Sequence, residues 1–236
     1  MDKQNAHLHE LLPQKIMKIV VFGATGATGR HVVDQALAAG HKVIAVARRP
    51  DQIAPRPNLI ACTGDVLDAA SLVDSCRDTD TVISCIGPRN NPNASAIMNN
   101  LRPGRTMSVG TAHMVAAAQA AGVRRFVFQS GIGLSDGSEL SRTDRWILRL
   151  LWRPMFAAAI RDKAQGERIL RASTLDWVIV RPVGLQDSPA TASYVAGPGT
   201  RVALFSSIAF ADCAACLLRA VSESTWSHQA VNVGQA

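Results

Sequence analysis

Short runs of continuous apolar residues alternate along the chain with longer stretches in which apolar residues recur at helical spacing. The runs have the length of β-strands: KIVVFG (18–23), KVIAVA (42–47), NLIACT (58–63), TVISCIG (81–87), RFVFQS (125–130) and DWVIVRP (176–182). Helical patterns lie near 27–39, 68–76, 105–121 and 156–172. Runs rich in Val and Ile without alternation are typical of strands buried on both faces. We therefore expect a parallel sheet between two layers of helices.

This alternation predicts a doubly wound α/β fold of Rossmann type, with a mostly parallel central sheet and a small C-terminal region on the substrate side. We find no internal repeat or linker and expect one domain over 1–236, including a polar extension at 1–15. Two irregular segments, 89–105 and 183–203, follow strand ends, at the sheet edge where ligands bind in such folds. The alternative is that both are surface loops without a function.

Composition excludes several classes of protein. No apolar stretch reaches about 18 residues, and the N-terminus lacks the features of a signal peptide, so we expect a cytoplasmic protein without a membrane span. The five cysteines are odd in number and irregularly spaced, which favours a reducing compartment. The C-x-x-C of Cys213 and Cys216 fits a buried helix better than a zinc site, so we expect no metal.

The net charge of +7 can indicate an acidic partner such as nucleic acid or a membrane. The basic residues are mostly scattered, however, and aromatic residues are only 5% of the chain. We therefore favour an enzyme that binds a polyanionic cofactor, without a nucleic-acid partner.

The segment VVFGATGATGRHVV joins the first predicted strand to the first predicted helix. Gly23 permits a tight turn, Gly26 lets the backbone approach a pyrophosphate, and Gly29 lets the helix pack against the strand. The N–H groups that open the helix then point at the phosphates. This context predicts a dinucleotide site rather than a purely structural turn. Its predicted cofactor contacts are Gly23, Thr25, Gly26, Ala27, Thr28, Gly29 and Arg30.

The end of the second predicted strand distinguishes the two nicotinamide cofactors. NAD sites carry Asp or Glu here, which accepts a hydrogen bond from the ribose 2′-hydroxyl. This strand ends in AVARRP, with Arg48 and Arg49. A guanidinium binds a 2′-phosphate through charge-assisted hydrogen bonds, and Arg30 can add to the same site. We predict NADP(H) in preference to NAD(H); the alternative is that the arginines are simply solvated.

The chain resembles the atypical short-chain dehydrogenases/reductases, in particular the NmrA-like group and its flavin/biliverdin-reductase-like branch. The resemblance runs from about 17 to 234. It is carried by FGATGATGR (22–30), GDVLD (64–68), SCIGPRN (84–90), GVRRFVFQSG (122–131), DKAQGERILRASTLDWVIVRP (162–182) and AFADCAACLL (209–218). The glycine motif is shared broadly, whereas its combination with GDVLD and LDWVIVRP is much more specific.

The resemblance implies a set of cofactor contacts that runs from the adenine to the nicotinamide. They are Asp65 and Val66 at the adenine, Cys85, Ile86 and Gly87 at the ribose and phosphates, Ser130 and Gly131 beside the nicotinamide, Lys163 at its ribose, and Pro182 and Val183 near the carboxamide. Ser130 and Lys163 are then the candidate catalytic residues. Without the resemblance, Asp65 could be a turn residue, and Lys163 would be taken for a solvated helix lysine.

Two positions depart from the family pattern, and both concern the proton donor. The family's catalytic tyrosine would stand four residues before the lysine, where this chain has Ala159, and the biliverdin-reductase branch has a histidine where this chain has Gly184. Ser130 can hydrogen-bond a substrate, but a neutral serine is a poor acid. Efficient reduction of a simple ketone needs a placed acid, whereas a flavin or quinone delocalises the incoming electrons and can take its proton from water. We expect hydride transfer from NADPH to a conjugated acceptor such as a flavin or quinone.

A second function fits the same residues. A non-catalytic NADP(H)-binding redox sensor, or a regulatory or assembly protein, would also keep the binding residues and lack the acid. We favour the enzyme, and turnover of NADPH with free flavin would separate the two.

The segment RTDRWILRLLWRPMF (142–156) combines basic and apolar residues. Arg142, Arg145, Arg149 and Arg153 recur at steps of three and four residues, which places them on one face of a predicted helix. We favour a lid over the substrate pocket or the surface of a homodimer. The alternative is a helix that lies on an anionic membrane.

Overall fold

The computed structural model describes residues 15–87, 105–135, 137, 140–155 and 157–235. The strands are β1 (Lys18–Phe22), β2 (Lys42–Ala47), β3 (Leu59–Thr63), β4 (Thr81–Ser84), β5 (Arg125–Gln129), β6 (Asp176–Pro182), β7 (Gly184–Gln186), β8 (Tyr194–Pro198), β9 (Ser207–Ala209) and β10 (Gln229–Gln235). The helices are α1 (Ala27–Ala38), α2 (Thr106–Ala120), α3 (Arg142–Ile147), α4 (Arg153–Met155), α5 (Ala157–Arg171) and α6 (Phe210–Ser222), with a π-helical turn at Leu148–Trp152.

Eight of the strands form one sheet in the order β3-β2-β1-β4-β5-β6-β10-β8. Neighbouring strands in this sheet run parallel to one another, except that β10 and β8 pair antiparallel. Strand β1 pairs with β2 on one side and with β4 on the other, so the direction of winding reverses beside β1. Such a reversal leaves a crevice outside the carboxyl ends of the strands. The predicted α/β fold with a mostly parallel sheet is confirmed.

The sheet lies between two hydrophobic clusters, one on each face. Val21 of β1 packs in the first cluster with Val32 of α1 and Leu217 of α6. Phe22, the next residue of β1, packs in the second cluster with Met114 of α2. Successive residues of a strand point to opposite faces, so a strand with a core on each side must be apolar at every position. The continuous Val and Ile runs of the sequence have this cause.

Helix α2 is held against α5 at the end nearest the crevice. The Asp162 carboxylate of α5 accepts hydrogen bonds from the backbone N–H groups of Met107 and Ser108, at 2.9 Å and 3.0 Å. These donors belong to the first turn of α2 and would otherwise lack intrahelical partners. Close by, a Cβ on Gly166 would stand only 3.0 Å from the Thr111 hydroxyl oxygen. The two helices therefore approach closely, and Asp162 fixes where α2 begins.

Several local expectations were wrong. Two short 3₁₀ turns, Ala69–Leu72 and Asp74–Cys76, occupy the stretch expected to form a helix near 68–76. Strand β3 is at the edge of the sheet, and Ile60 on it is 56% exposed, although the apolar run predicted burial on both faces. An edge strand has a neighbour on one side only, and the sequence of a short apolar run does not distinguish it from a central strand.

The C-terminal region contains strands that the sequence pattern did not reveal. Residues 183–203, expected to be irregular, include β7 and β8, and β10 completes the sheet after α6. In β10 a buried polar residue, Asn232, separates Val231 from Val233 and interrupts the apolar run. The Asn232 amide donates to the Thr200 carbonyl oxygen at 3.2 Å, so a contact 32 residues away accommodates the polar group.

The expected N-terminal extension and the expected loop 89–105 lie outside the described residues, apart from Lys15 and Arg105. Within the described ranges, no helix combines the length and apolar content that crossing a membrane requires.

The arginines of the segment 142–156 do not share one environment. Arg145 Nε donates to the Gly137 carbonyl oxygen at 2.9 Å, and Arg153 Nη2 donates to that of Ser135 at 2.6 Å. Arg142 and Arg149 are exposed. Two arginines therefore hold the segment to the preceding loop, and two face outward.

Candidate functional site

A cavity of about 310 Å³ opens in the crevice beside β1. The turns that follow β1, β2, β3 and β4 all contribute to it, together with the first residue of α2. Its lining residues are Phe22, Gly23, Thr25, Gly26, Val46, Ala47, Arg48, Gly64, Asp65, Val66, Cys85, Ile86, Gly87 and Thr106. Most of the residues predicted to contact the adenine, ribose and phosphates are thus brought together, although they come from four separate stretches of sequence.

The glycine turn is built so that helix α1 starts directly against the end of β1. Gly23 has a φ of +78°, a conformation that favours glycine, and its carbonyl oxygen accepts from the Gly26 N–H at 2.9 Å. A Cβ on Gly29 would lie 2.1 Å from the same Gly23 oxygen. A Cβ on Gly26 would meet that oxygen at 3.2 Å and, among the described residues, no other contact within 4 Å is found. Gly29 is therefore required by packing, whereas Gly26 leaves space open toward the cavity.

The start of α1 suits an anionic ligand. Gly26 is the N-cap, no side chain caps the helix, and the first turn carries no acidic residue. Backbone N–H groups at such a helix end, with the helix dipole, favour a phosphate. Thr25 is exposed and lines the cavity, whereas the Thr28 hydroxyl is buried and accepts from Gln129 Nε2 at 3.3 Å. A pyrophosphate fits this end of the helix, with Ala27 as its first helical residue.

The three candidate arginines lie at different places around the site. Arg48 lines the cavity beside β1, and Arg49 is exposed next to it in the chain. Arg30 lines a second cavity of about 390 Å³, which shares Thr25 with the first. In that second cavity the Arg56 guanidinium pairs with the Asp34 carboxylate at 2.6 Å. Positive side chains therefore flank both cavities at the end of β2.

Asp65 and Val66 both line the first cavity, but each also has a structural contact. The Asp65 carboxylate accepts from the Leu67 N–H at 3.0 Å, as in an Asx turn. Val66 is buried, and a Cβ on Gly110 of α2 would come within 2.9 Å of its side chain. The turn after β3 is thereby fixed against α2, which determines the shape of this wall.

Cys85, Ile86 and Gly87 form the wall that follows β4. The Cys85 N–H donates to the Phe22 carbonyl oxygen at 2.9 Å, which continues the pairing of β4 with β1. Burial raises the pKa of the Cys85 thiol to about 12. The thiol is therefore protonated at neutral pH and acts as a small apolar wall group rather than as a nucleophile.

A further cavity of about 400 Å³ lies at the carboxyl ends of β5 and β6, against α5. Its lining residues are Gly131, Ile132, Gly133, Leu134, Ala159, Ile160, Lys163, Pro182, Val183, Gly184, Leu204, Phe205, Ser206 and Ser207. Lys163 is the one ionisable side chain among these described residues. Both positions where a family proton donor would stand, Ala159 and Gly184, are on this lining, and neither carries a polar side chain.

Lys163 lies between this cavity and a buried ionic network. Its ammonium donates to the Ser130 carbonyl oxygen at 3.3 Å. Burial lowers the pKa of Lys163, and the Glu167 carboxylate one helical turn later opposes that shift. With one N–H used in this way, the ammonium keeps two further N–H donors for a ligand in the cavity.

The Glu167 carboxylate is buried and is the centre of the network. Arg181 Nη2 and Nε donate to its two oxygens at 2.6 Å and 3.1 Å, and the Ser130 hydroxyl donates to Oε1 at 2.6 Å. The Ser130 hydroxyl is thus directed at Glu167, and Ser130 is not on the cavity lining. Its assignment as a catalytic residue stays a prediction.

Sequence reasoning missed several residues of the site. Glu167 and Arg181 were passed over, although an arginine inside the otherwise apolar strand DWVIVRP was a signal that a buried acidic partner exists. Leu204, Phe205 and Ser206 come from a stretch without a motif, so nothing in the sequence indicated them.

Among the described residues, no group of three or more His, Cys, Asp or Glu side chains is arranged to hold a metal ion.

Replacing Gly26 and Gly29 should separate ligand binding from folding. We expect Gly26→Val to stay folded and lose NADPH binding, because its side chain occupies the space open to a pyrophosphate. We expect Gly29→Ala to lose roughly 2–4 kcal/mol of stability, because its Cβ would overlap the Gly23 carbonyl. Urea unfolding and isothermal calorimetry measure the two effects. Tight NADPH binding by folded Gly26→Val would locate the cofactor elsewhere.

Removing the Glu167 carboxylate should destabilise the folded protein. Glu167→Ala leaves the Arg181 guanidinium, whose side chain is only 13% exposed, without its anion, and we expect a loss of about 3–5 kcal/mol in the free energy of unfolding. Glu167→Gln keeps the shape and one acceptor and should lose less. Arg168→Ala, on the exposed side of the same helix, is the control and should change stability by under about 0.5 kcal/mol. A Glu167→Ala protein as stable as this control would contradict the role assigned to the pair.

The chain is similar to several known proteins. A family model described as NAD(P)H-binding matches residues 23–224. The chain is 32% identical over 174 residues to the 3-diazoavenalumate denitrifying reductase of a Streptomyces species, a match that covers 70% of this chain and 55% of that protein. It is 29% identical over 192 residues to an uncharacterized chloroplastic protein of Arabidopsis thaliana, covering 78% and 65%. The chain spans between about half and two thirds of the length of these relatives.

A solved structure shares the fold over most of its length. The anaerobilin reductase ChuY of Escherichia coli O157:H7 superposes with a TM-score of 0.73 at 23% sequence identity, covering 92% of this chain and 97% of that one. This likeness is one of fold, and it agrees with the Rossmann-type fold expected from the sequence. Since the family model begins at the first glycine of the turn and extends over most of the chain, the protein belongs to the NAD(P)H-binding family.

Proposed function

We propose that the protein is an NADPH-dependent oxidoreductase that transfers hydride to a conjugated acceptor such as a flavin or quinone. The observation that carries the proposal is the cavity at the ends of β5 and β6. It adjoins the end of the site where the nicotinamide is expected, and none of the described residues that line it is Tyr, His, Asp or Glu. A reaction that needs a strong placed acid is poorly served by such a cavity.

The cofactor would lie across the crevice, from the turn after β2 to the ends of β5 and β6. Gly23, Gly26 and the opening N–H groups of α1 would bind the pyrophosphate, and Lys163 would bind the nicotinamide ribose. Arg48, with Arg49 and Arg30, would pair with a 2′-phosphate, which favours NADP(H) over NAD(H). When bound, the cofactor supplies the hydride.

The acceptor side is apolar and can hold a flat ring system. Ile132, Leu134 and Ile160 line it together with Leu204 and Phe205. Apolar walls with few polar groups are typical of sites for small conjugated molecules. Orientation against the cofactor can supply much of the rate acceleration for such an acceptor, and water can deliver its proton. Lys163 would contribute a positive charge beside the developing negative charge.

Two similar proteins, a denitrifying reductase and an anaerobilin reductase, support reduction as the type of reaction. The five cysteines, all free, fit a reducing compartment such as the cytoplasm. The second candidate is an NADP(H)-binding sensor, which the same lack of a proton donor favours. Turnover is the property that separates the two.

Cofactor preference should depend on the arginines after β2. We expect NADP(H) to bind at least about tenfold tighter than NAD(H), because Arg48 and Arg49 pair with the 2′-phosphate. Arg48→Ala with Arg49→Ala should remove the preference and leave NAD(H) binding nearly unchanged, as measured by calorimetry. Arg77→Ala with Arg124→Ala makes the same change in net charge far from the site and should keep the preference. Equal affinities of the unaltered protein for NADP(H) and NAD(H) would refute the predicted preference.

Acceptor choice should follow from the missing acid. We expect NADPH oxidation with free flavin or quinone and little with unconjugated ketones, in steady-state assays. Ser130→Ala should cost far less than the roughly 10²–10⁴ expected for the loss of a general acid, because its hydroxyl is bonded to Glu167. Fast reduction of a simple ketone would reveal an acid that the cavity lining lacks. Tight NADPH binding without turnover of any conjugated acceptor would establish the sensor instead.

A further inference from the structure

Large apolar side chains face outward on the segment that runs from α3 through the π-helical turn. Trp146, Leu150 and Leu151 are exposed to 66%, 61% and 62%. Trp146 and Leu150 are four residues apart and therefore neighbours on one helix face. We call this group of three side chains the outer face of the segment. A contiguous exposed apolar surface of this kind usually marks a site of interaction.

The opposite side of the segment is fixed to the protein, so the outer face has a defined direction. Leu148 is completely buried in the core. Arg145 and Arg153 donate to backbone carbonyl oxygens of the preceding loop, and the Ser141 hydroxyl caps the start of α3 by accepting from the Asp144 N–H at 3.0 Å. An apolar lid would turn Trp146 and Leu150 toward the chain's own cavity. Here they are turned to the outside.

Positive charge accompanies the outer face. Arg142 and Arg149 are exposed and stand three or four residues from Trp146, on adjacent positions of the helix surface. Arg201 lies close to the start of α3, where it lines a groove together with Ser141 and Asp144. Asp144 is the acidic side chain of that groove. From position 145 to position 161 the sequence has four arginines and no acidic residue.

We propose that the outer face docks on an anionic membrane surface. Tryptophan and leucine on one face with flanking arginines are the composition of helices that lie in the membrane interface. A second copy of the chain suits the face less well, because a symmetric contact would bring Arg142 and Arg149 of two chains, each with a net charge of +7, against one another. An anionic surface neutralises the same charges and buries the apolar side chains.

Docking through the outer face would affect which acceptor can reach the cavity. The stretch from Arg201 to Ser207 lines both the groove at the start of α3 and the acceptor cavity, and Phe205 on it is 64% exposed. The cavity mouth is therefore beside the docking segment. This step rests on the proposed function: the acceptor would be a conjugated molecule dissolved in the lipid, such as a quinone with an apolar tail, rather than a water-soluble flavin.

Vesicle flotation tests the docking without any turnover. We expect the protein to float with vesicles of phosphatidylcholine and phosphatidylserine and not with phosphatidylcholine alone, and to be released by high salt. Arg142→Gln with Arg149→Gln should lower partitioning roughly 25-fold, since each basic residue at an anionic surface contributes roughly fivefold. Trp146→Ser with Leu150→Ser should abolish it. A blue shift in tryptophan fluorescence on binding should be absent in Trp146→Phe.

Matched controls change other exposed surfaces in the same way. Arg77→Gln with Arg124→Gln removes the same charge, and Ile60→Ser with Val73→Ser removes exposed apolar groups; both should float like the unaltered protein. Failure of the unaltered protein to float would overturn the proposal. So would flotation that survives Trp146→Ser with Leu150→Ser, which would indicate electrostatic adsorption alone. A dimer in sedimentation that Trp146→Ser dissociates would assign the face to a second copy.

The acceptor is tested separately by NADPH oxidation with free flavin and with a quinone held in the same vesicles. Docking with turnover of free flavin only would leave the proposed function standing and refute the lipid-dissolved acceptor. Docking without turnover of either acceptor would refute the proposed function and leave the docking intact.

Discussion

The arrangement of the whole site depends on one steric constraint, the contact between the start of α1 and the end of β1. Gly29 packs so closely on the Gly23 carbonyl that a Cβ there would lie 2.1 Å from its oxygen. This contact lets the helix begin directly after the strand, with its uncapped N–H groups at the edge of the sheet. The reversal of winding beside β1 leaves a crevice at that same place. The backbone geometry alone therefore suits an anion, before any side chain contributes.

The acceptor side of the site depends instead on a buried ion pair. Glu167 of α5 and Arg181 of β6 bind one another, and Ser130, which follows β5, is tied to the same carboxylate. A buried pair of this kind stabilises only while both partners are present. It joins the helix that carries Lys163 to the two strands whose ends form the cavity. The position of the lysine is therefore determined by groups that need not touch a ligand themselves.

Exposed positive charge is found in two separate regions of the molecule. Arginines at the end of β2 flank the crevice that would take the phosphates, and a second basic region, with outward tryptophan and leucine, lies on the segment beside the acceptor cavity. Positive charge near a polyanionic ligand needs only exposed guanidinium groups. Positive charge next to exposed apolar side chains suits a different partner. An anionic membrane interface can neutralise the arginines and also bury the apolar side chains.

The sequence by itself determined the fold class and the order of its principal elements. Continuous runs such as KIVVF and DWVIV are apolar at every position, so both faces of the strand must be buried. The glycine spacing after β1 has few structural explanations other than a dinucleotide-binding turn. The strand β10 was not predictable, because Asn232 interrupts its apolar pattern and donates to the Thr200 carbonyl, which comes close through folding.

The tertiary structure alone decided how the site is completed. Ser130 looked available to a substrate, but the Glu167 carboxylate, 37 residues later in the chain, takes its hydroxyl. Leu204 and Phe205 became cavity walls because β9 and the preceding turn return to the end of β6, and the outward direction of Trp146 follows from the burial of Leu148 beneath it. Local patterns encode which elements form; contacts between residues far apart in sequence decide which side chains remain free to act.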